Sequence, residues 1–157
     1  MARQLQPVAR WAQVTTLALS LVGLALSIYL TIEHFGHSNL LLCPQNALFN
    51  CESVTTSAQS YVMGIPVAVL GLIAYTVMTA LTTPWAWRAT NYWLHAGRFL
   101  FSIGSMIFVL WLVAAELVII DHVCLYCTAV HIVTFAILIV MTRVAPTQLG
   151  WGSHAAK

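Results

Sequence analysis

Charge is scarce in this sequence. Six Lys and Arg and four Asp and Glu make up 6% of its 157 residues, where a soluble domain carries about a quarter. With 61% hydrophobic residues, the chain could not cover its own apolar surface with polar groups in water. A bilayer as solvent removes that problem. No cluster of Lys and Arg is present, and a net charge of +2 spread along the chain excludes a nucleic-acid footprint. No internal repeat or low-complexity tract is evident. Cysteine is sparse too, and its four copies are confined to two places.

What the chain does have is long apolar runs, at 13–32, 62–81, 99–120 and 123–141. Each is near the ~20 residues a helix needs to cross a hydrocarbon core. Helices are the expected form, because backbone groups in lipid must be satisfied within the segment. The fold class expected is an all-α integral membrane protein, a four-transmembrane-helix bundle with a long extracytoplasmic loop. The connectors sort by charge. Arg3 and Arg10 precede the first run, Arg88 and Arg98 separate the second from the third, and Arg143 and Lys157 follow the fourth. The other two connectors, 33–61 and 121–122, contain neither Lys nor Arg. Four alternating spans put every cation on one side, which the positive-inside rule makes cytoplasmic. Both termini then face the cytoplasm of the inner membrane: 1–12 is an N-terminal segment, 13–143 the membrane domain and 144–157 a tail, disordered from 150.

The first run is longer than a signal-peptide core, and no small-residue cleavage site follows it. It reads as a retained helix. Trp85, Trp87, Tyr92 and Trp93 flank the cytoplasmic ends as interfacial anchors would. Small residues recur within the spans (Ser20, Gly23 and Ser27; Gly64, Ala68 and Gly71; Gly104 and Ser105) and suggest close helix packing.

All four cysteines fall on the expected outer side, the oxidising one. Cys43 and Cys51 lie in the long loop with seven residues between them, and Cys124-Leu125-Tyr126-Cys127 opens the fourth span. Two residues between cysteines let the sulfurs meet over one helical turn, and such disulfides are often redox-active. A helix N-terminus there would favour the thiolate, the reacting species in disulfide exchange. Placement at the membrane edge brings the pair within reach of a lipid-soluble oxidant. In the loop, Pro44 favours extended or turn geometry after Cys43. Asn50 can cap a short surface helix from Cys51, with Glu52 in its first turn. Two other readings compete with redox chemistry: a pair of structural disulfides, or an all-thiolate zinc site, which a seven-residue gap fits poorly.

The pattern resembles the bacterial branch of the vitamin K epoxide reductase family, from about Ser20 to Arg143. The resemblance rests on Cys43 and Cys51, on Ser57 six residues later, on Gly64-Ile65-Pro66 and Gly71 in the second span, and on Cys124-x-x-Cys127. It implies a four-helix bundle around a quinone pocket near the outer face, and a quinone-dependent oxidoreductase that supports disulfide formation. The quinone would be of menaquinone, ubiquinone or vitamin K type. By position, a reduced thioredoxin-like partner would attack a Cys43–Cys51 disulfide at Cys43. Cys51 would then attack Cys124, and Cys127 would pass electrons to the quinone. Ser57, Cys127 and His131 become the quinone contacts.

Many bacterial members carry a fused thioredoxin-like domain; no stretch of these 157 residues beyond the spans is long enough for one, so the partner is expected to be a separate DsbA-like protein. In vertebrate enzymes an asparagine and a tyrosine stand where this chain has Val67 and His131. The departures point to ordinary quinone reduction, with vitamin K epoxide reduction as the alternative. The DsbB family also has four helices and two outer cysteine pairs, but its C-x-x-C lies in the first outer loop. A non-enzymatic membrane protein with structural disulfides is a further alternative. An ion transporter would need more intramembrane charge than Glu116 alone.

Among other polar residues, His131 lies four residues after Cys127 on the same helix face and can hydrogen-bond a quinone or pack between helices. Glu116 is expected to snorkel to the interface, a proton route being the sharper alternative. Asp121 and His122 could tune the neighbouring thiols or simply turn the chain. His34 and His37 lack the partner spacing of metal ligands. Phe108 and Trp111 are expected in the core or against lipid.

Overall fold

The computed structural model describes residues 8–36 and 50–149. Expectations that concern 1–7, 37–49 and 150–157, among them Cys43, Pro44, His37 and the tail, lie outside the described residues.

The chain is a helical membrane protein. Among the described residues, three helices are long and apolar enough to cross a bilayer. They are α1 (Arg10–Gly36), α5 (Tyr92–Ala114, continued by a π-helical turn to Ile120) and α6 (Leu125–Leu149). Between them lie α2 (Cys51–Thr55), a hairpin of β1 (Tyr61–Val62) and β2 (Ile65–Pro66), α3 (Val67–Leu81) and α4 (Pro84–Arg88). α6 continues past Arg143 to bury Val144, Ala145, Gln148 and Leu149.

The second apolar run differs from expectation. It was expected to be helical from 62, yet α3 starts at Val67 and has 15 residues, about 22 Å at 1.5 Å per residue. The preceding residues form the hairpin instead, with Val62 opposite Ile65. Met63 and Gly64 have φ of 52° and 82°. Positive φ at both central positions suits a two-residue hairpin turn, and it stops any helix from propagating through them. Pro66, with no N–H to donate, then stands at the N-cap of α3.

α1 packs against α3 and α6, and α5 against α6. The small residues act as expected between α1 and α3. A Cβ on Gly23 would overlap the Tyr75 ring, and one on Gly71 would meet Ser27 Oγ at 3.2 Å. Gly104 has open space beside it and lines a cavity with Ala68, Gly71 and Ser105, so these small side chains also leave room.

The main core gathers Ala12, Met78, Trp87, Ile137, Met141 and Val144, toward the end of the bundle that carries α4. Arg98 is buried there. It donates to Leu81 O (3.0 Å), to His95 Nδ1 (2.8 Å) and to Gln148 Oε1 (3.5 Å), and lies 3.4 Å from the Trp87 ring centroid. A residue counted in the sequence as a flanking charge is thus a clasp that ties the ends of α3, α5 and α6. Of the expected interfacial aromatics, Trp85 and Trp93 are exposed and Trp87 is buried under Arg98.

Candidate functional site

At the opposite end, α2 and the start of α6 meet. Asn50 caps α2, its side-chain oxygen accepting from Ser53 N–H at 3.0 Å, and Glu52 lies in the first turn as the sequence suggested. The Asn50 backbone N–H donates to Val123 O at 3.3 Å. That bond joins the residues immediately before Cys51 and Cys124. The two cysteines consequently share one buried cluster with Val54, packed by Ile120, Tyr126 and Cys127. Cys51 is 1% exposed and Cys124 0%. Cys51 is disulfide-bonded, whereas Cys124 and Cys127 are free thiols. Cys43 lies outside the described residues.

Cys124 stands immediately before α6, between the two membrane-crossing segments that end at Ile120 and begin at Leu125. Its carbonyl accepts from Thr128 N–H at 2.9 Å, and its sulfur accepts from Cys127 N–H at 3.3 Å. Sulfur here takes the place of a capping oxygen. The Cys127 thiol hydrogen-bonded to it holds Cys124 below the usual thiol range. Burial opposes this, the Cys127 N–H assists, the Glu116 carboxylate opposes, and the Tyr126 N–H assists. Of the two readings of Asp121 and His122, tuning this thiol or turning the chain, the turn is the one seen. Glu116 is the side-chain charge that acts on Cys124, while Asp121 turns the chain in the left-handed region (φ 56°) and the His122 ring bonds Ile120 O at 3.0 Å.

Glu116 departs from expectation as well. Instead of snorkelling to the interface it is buried, at 6% exposure, and its carboxylate accepts from the Cys124 backbone N–H. The cause is the π-helical turn over Ala115–Ile120. An extra residue in the turn shifts the helical phase, so Ala115 and Glu116 face inward while Leu117, Val118 and Ile119 face out.

Beside this cluster lies a largely apolar cavity of about 380 Å³ between α3, α5 and α6. Ser57, Cys127 and His131, the expected quinone contacts, all line it. So do Val67 and Phe108. Phe108, expected in the core or against lipid, is a wall of the cavity, stacked on the half-exposed Trp111 at 5.7 Å. Ser57 donates its hydroxyl to Val54 O at 2.8 Å, which leaves the oxygen as an acceptor. His34 also reaches the cavity, held by Tyr61 Oη at 3.0 Å. Tyr75 carries no motif and was not singled out from the sequence. Its hydroxyl donates to Val130 O (3.0 Å) and pairs with Thr134 Oγ1 (2.8 Å), fixing α3 to α6 across the cavity wall. A lone tyrosine in an apolar run near Gly71 was the available signal.

A cavity of this size lies in the ~300–1,000 Å³ range of small-ligand sites. Apolar walls with a few convergent polar groups suit a flat, lipid-soluble ring with carbonyl oxygens. Cys127 brings a thiol to its wall, one turn from Cys124.

The family model for the vitamin K epoxide reductase family matches residues 14–142. No curated protein sequence matches the chain.

Proposed function

The chain belongs to the vitamin K epoxide reductase family, and on that premise we propose that it is a quinone-dependent thiol–disulfide oxidoreductase. It reoxidises a thioredoxin-like, DsbA-like protein outside the cytoplasm and passes the electrons to a membrane quinone. The observation that carries this reading is the shared burial of Cys51 and Cys124 in one cluster, beside a cavity lined by Cys127.

The oxidoreductase family sets the class of reaction, and its members are generally quinone-linked. The chain's own residues supply the route. The partner's thiolate opens a Cys43–Cys51 disulfide at Cys43, and Cys51 leaves as a thiolate. Cys51 then attacks Cys124 of a Cys124–Cys127 disulfide, and Cys127 is released as a thiol at the cavity wall; the partner's second thiol frees Cys43, which bonds Cys51 again and releases Cys124. A bound quinone supplies the acceptor for two electrons and two protons. Ser57 and His131 orient it by hydrogen bonds, and Phe108 and Val67 exclude water from it. A disulfide at Cys51 with free thiols at Cys124 and Cys127 matches the stage at which electrons have reached the inner pair.

Charge partition supports the orientation. Arg10, Arg88, Arg98 and Arg143 stand toward the end away from the cysteines, which makes that end cytoplasmic. With the hairpin ahead of it, α3 completes a four-span bundle as a short crossing, and α2 lies on the outer surface above the cavity. Val67 and His131, where the chain departs from the vertebrate enzymes, both face the cavity. That supports plain quinone reduction over epoxide chemistry.

The test uses purified protein in detergent with a reduced DsbA-like partner and a short-chain quinone. Quinol formation is followed for the wild type and each Cys→Ala variant. Loss of turnover with the partner in all four variants is expected. Cys43→Ala, once its C-x-x-C is chemically reduced, should still reduce quinone. Wild-type protein inert toward quinones, or turnover surviving loss of Cys124 or Cys127, would overturn the proposal.

A further inference from the structure

Glu116 has no part in the route above, yet it is built into it. Its carboxylate accepts from the Cys124 backbone N–H and its charge acts on Cys124. It lines the central cavity together with Cys127 and His131. With His131 and Val109 it also lines a second groove between α5 and α6, so these three side chains form the wall between the cavity and that groove. The π-helical turn exists where Glu116 is turned inward, and such turns are frequent at functional positions.

No arginine stands at this end among the described residues. Arg98, on the same helix, is 18 residues earlier, about 27 Å along the axis. The titratable groups that share the Glu116 surroundings are Cys124, Cys127 and His131, with His34 and Tyr75 further along the cavity wall. A carboxylate buried without a cation is costly, and carrying a proton removes that cost.

Resting on the quinone-reducing role argued above, we propose that Glu116 stores the proton that Cys124 releases and delivers it to the quinone when the C-x-x-C disulfide closes. The reduced site then holds a Cys124 thiolate, a Cys127 thiol and a Glu116 carboxyl. On closure the Cys124–Cys127 sulfur–sulfur bond forms, and the Cys127 S–H and Glu116 O–H bonds break. Two electrons from sulfur and these two protons pass to the quinone, giving the quinol. Glu116 is left as a carboxylate held by the Cys124 N–H, and the net charge is −1 before and after. The partner's dithiol restores two electrons and two protons, one proton to Cys127 and one to Glu116.

Glu116→Gln is the informative variant, because its carbonyl still accepts from the Cys124 N–H but its amide cannot hold and release a proton. The first readout needs no quinone. The infrared difference between chemically reduced and oxidised protein should show the carbonyl band of a protonated carboxyl gained on reduction, and Glu116→Gln should lack it. In the second, quinol formation by Glu116→Gln should fall at least about tenfold, with reduction of its C-x-x-C by a small thiol within about twofold of wild type, and Glu116→Asp should recover part of the loss. Absence of the band, or wild-type quinone turnover in Glu116→Gln, overturns the proposal. Equal loss of quinone turnover and thiol exchange also overturns it, since Glu116 would then only position the cysteines. Wild-type protein inert toward quinones would sink the functional proposal instead, and the infrared result alone would still decide the protonation of Glu116.

Discussion

Replacing Gly23 by alanine tests how the cavity wall is held. The added Cβ would overlap Cε1, Cζ and Cδ1 of Tyr75, all inside the 3.0 Å that real Cβ atoms essentially never cross. The ring would have to retreat by roughly 1.5–2 Å to regain ordinary contact. It is pinned by its hydroxyl, at 3.0 Å from Val130 O and 2.8 Å from Thr134 Oγ1. Overpacking of this kind costs about 1–3 kcal/mol, and each hydrogen bond lost adds about 0.5–1.5 kcal/mol. Alanine regains about 1 kcal/mol of helix propensity. With both hydrogen bonds lost, the expected net loss is about 1–5 kcal/mol, a large share of a typical total of about 5–15 kcal/mol. Because Tyr75 lines the cavity, its displacement should also raise the KM for quinone. Thermal unfolding in detergent and quinone kinetics would read both effects. Tyr75→Ala opens space for the new methyl group, so the double variant should be less destabilised than the sum of the singles by about 1 kcal/mol or more. Gly23→Ala as stable as wild type, the behaviour of an ordinary helical glycine, would refute close contact of α1 and α3 at this point.

Further expectations concern both ends of the bundle. With Cys124 held below the usual thiol range by Cys127, alkylation of the reduced protein should stay fast at pH values below the ~8.5 of a free cysteine and decline only as pH falls through the lowered value; a midpoint at or above that of free cysteine would contradict this. Arg98→Leu would leave Leu81 O and His95 Nδ1 buried without their donor. It should cost about 2–4 kcal/mol in thermal unfolding, with Lys a poor replacement because one ammonium cannot match the guanidinium fork; unchanged stability would count against the clasp. His131→Leu should slow quinone turnover while leaving exchange with the protein partner intact, and equal activity would remove His131 from the proposed role.

Much of this arrangement was legible in the residues. Long apolar runs marked the three helices long and apolar enough to cross a bilayer, because such runs follow directly from the solvent around each segment. Asn50 and Glu52 announced the start of α2 through capping chemistry. Ser57, Cys127 and His131 were singled out by position, and all three line one cavity. What escaped depended on phase and on contacts distant in sequence. Met63-Gly64 lay inside an apolar run, and its hairpin was hidden by counting hydrophobicity rather than reading the glycine and the following Pro66 as punctuation. Glu116 was placed by its distance from the span end, whereas the π-helical turn rotates it inward, and nothing in local composition marks that turn. Arg98 was counted as a charge flanking the third run, because its partners Leu81, His95 and Gln148 are brought together only by helix packing.

The central claim is that the loop cysteine and the C-x-x-C are within reach of each other. A disulfide requires Cα atoms roughly 4.4–6.8 Å apart. A Cys43→Ala/Cys127→Ala variant leaves only Cys51 and Cys124, the two cysteines of the buried cluster. Expressed in membranes and denatured in the presence of a thiol-blocking reagent, it should prove to carry an intramolecular Cys51–Cys124 disulfide, seen as no alkylation before reduction and two alkylated cysteines after it. Two freely alkylated thiols without reduction would contradict the account.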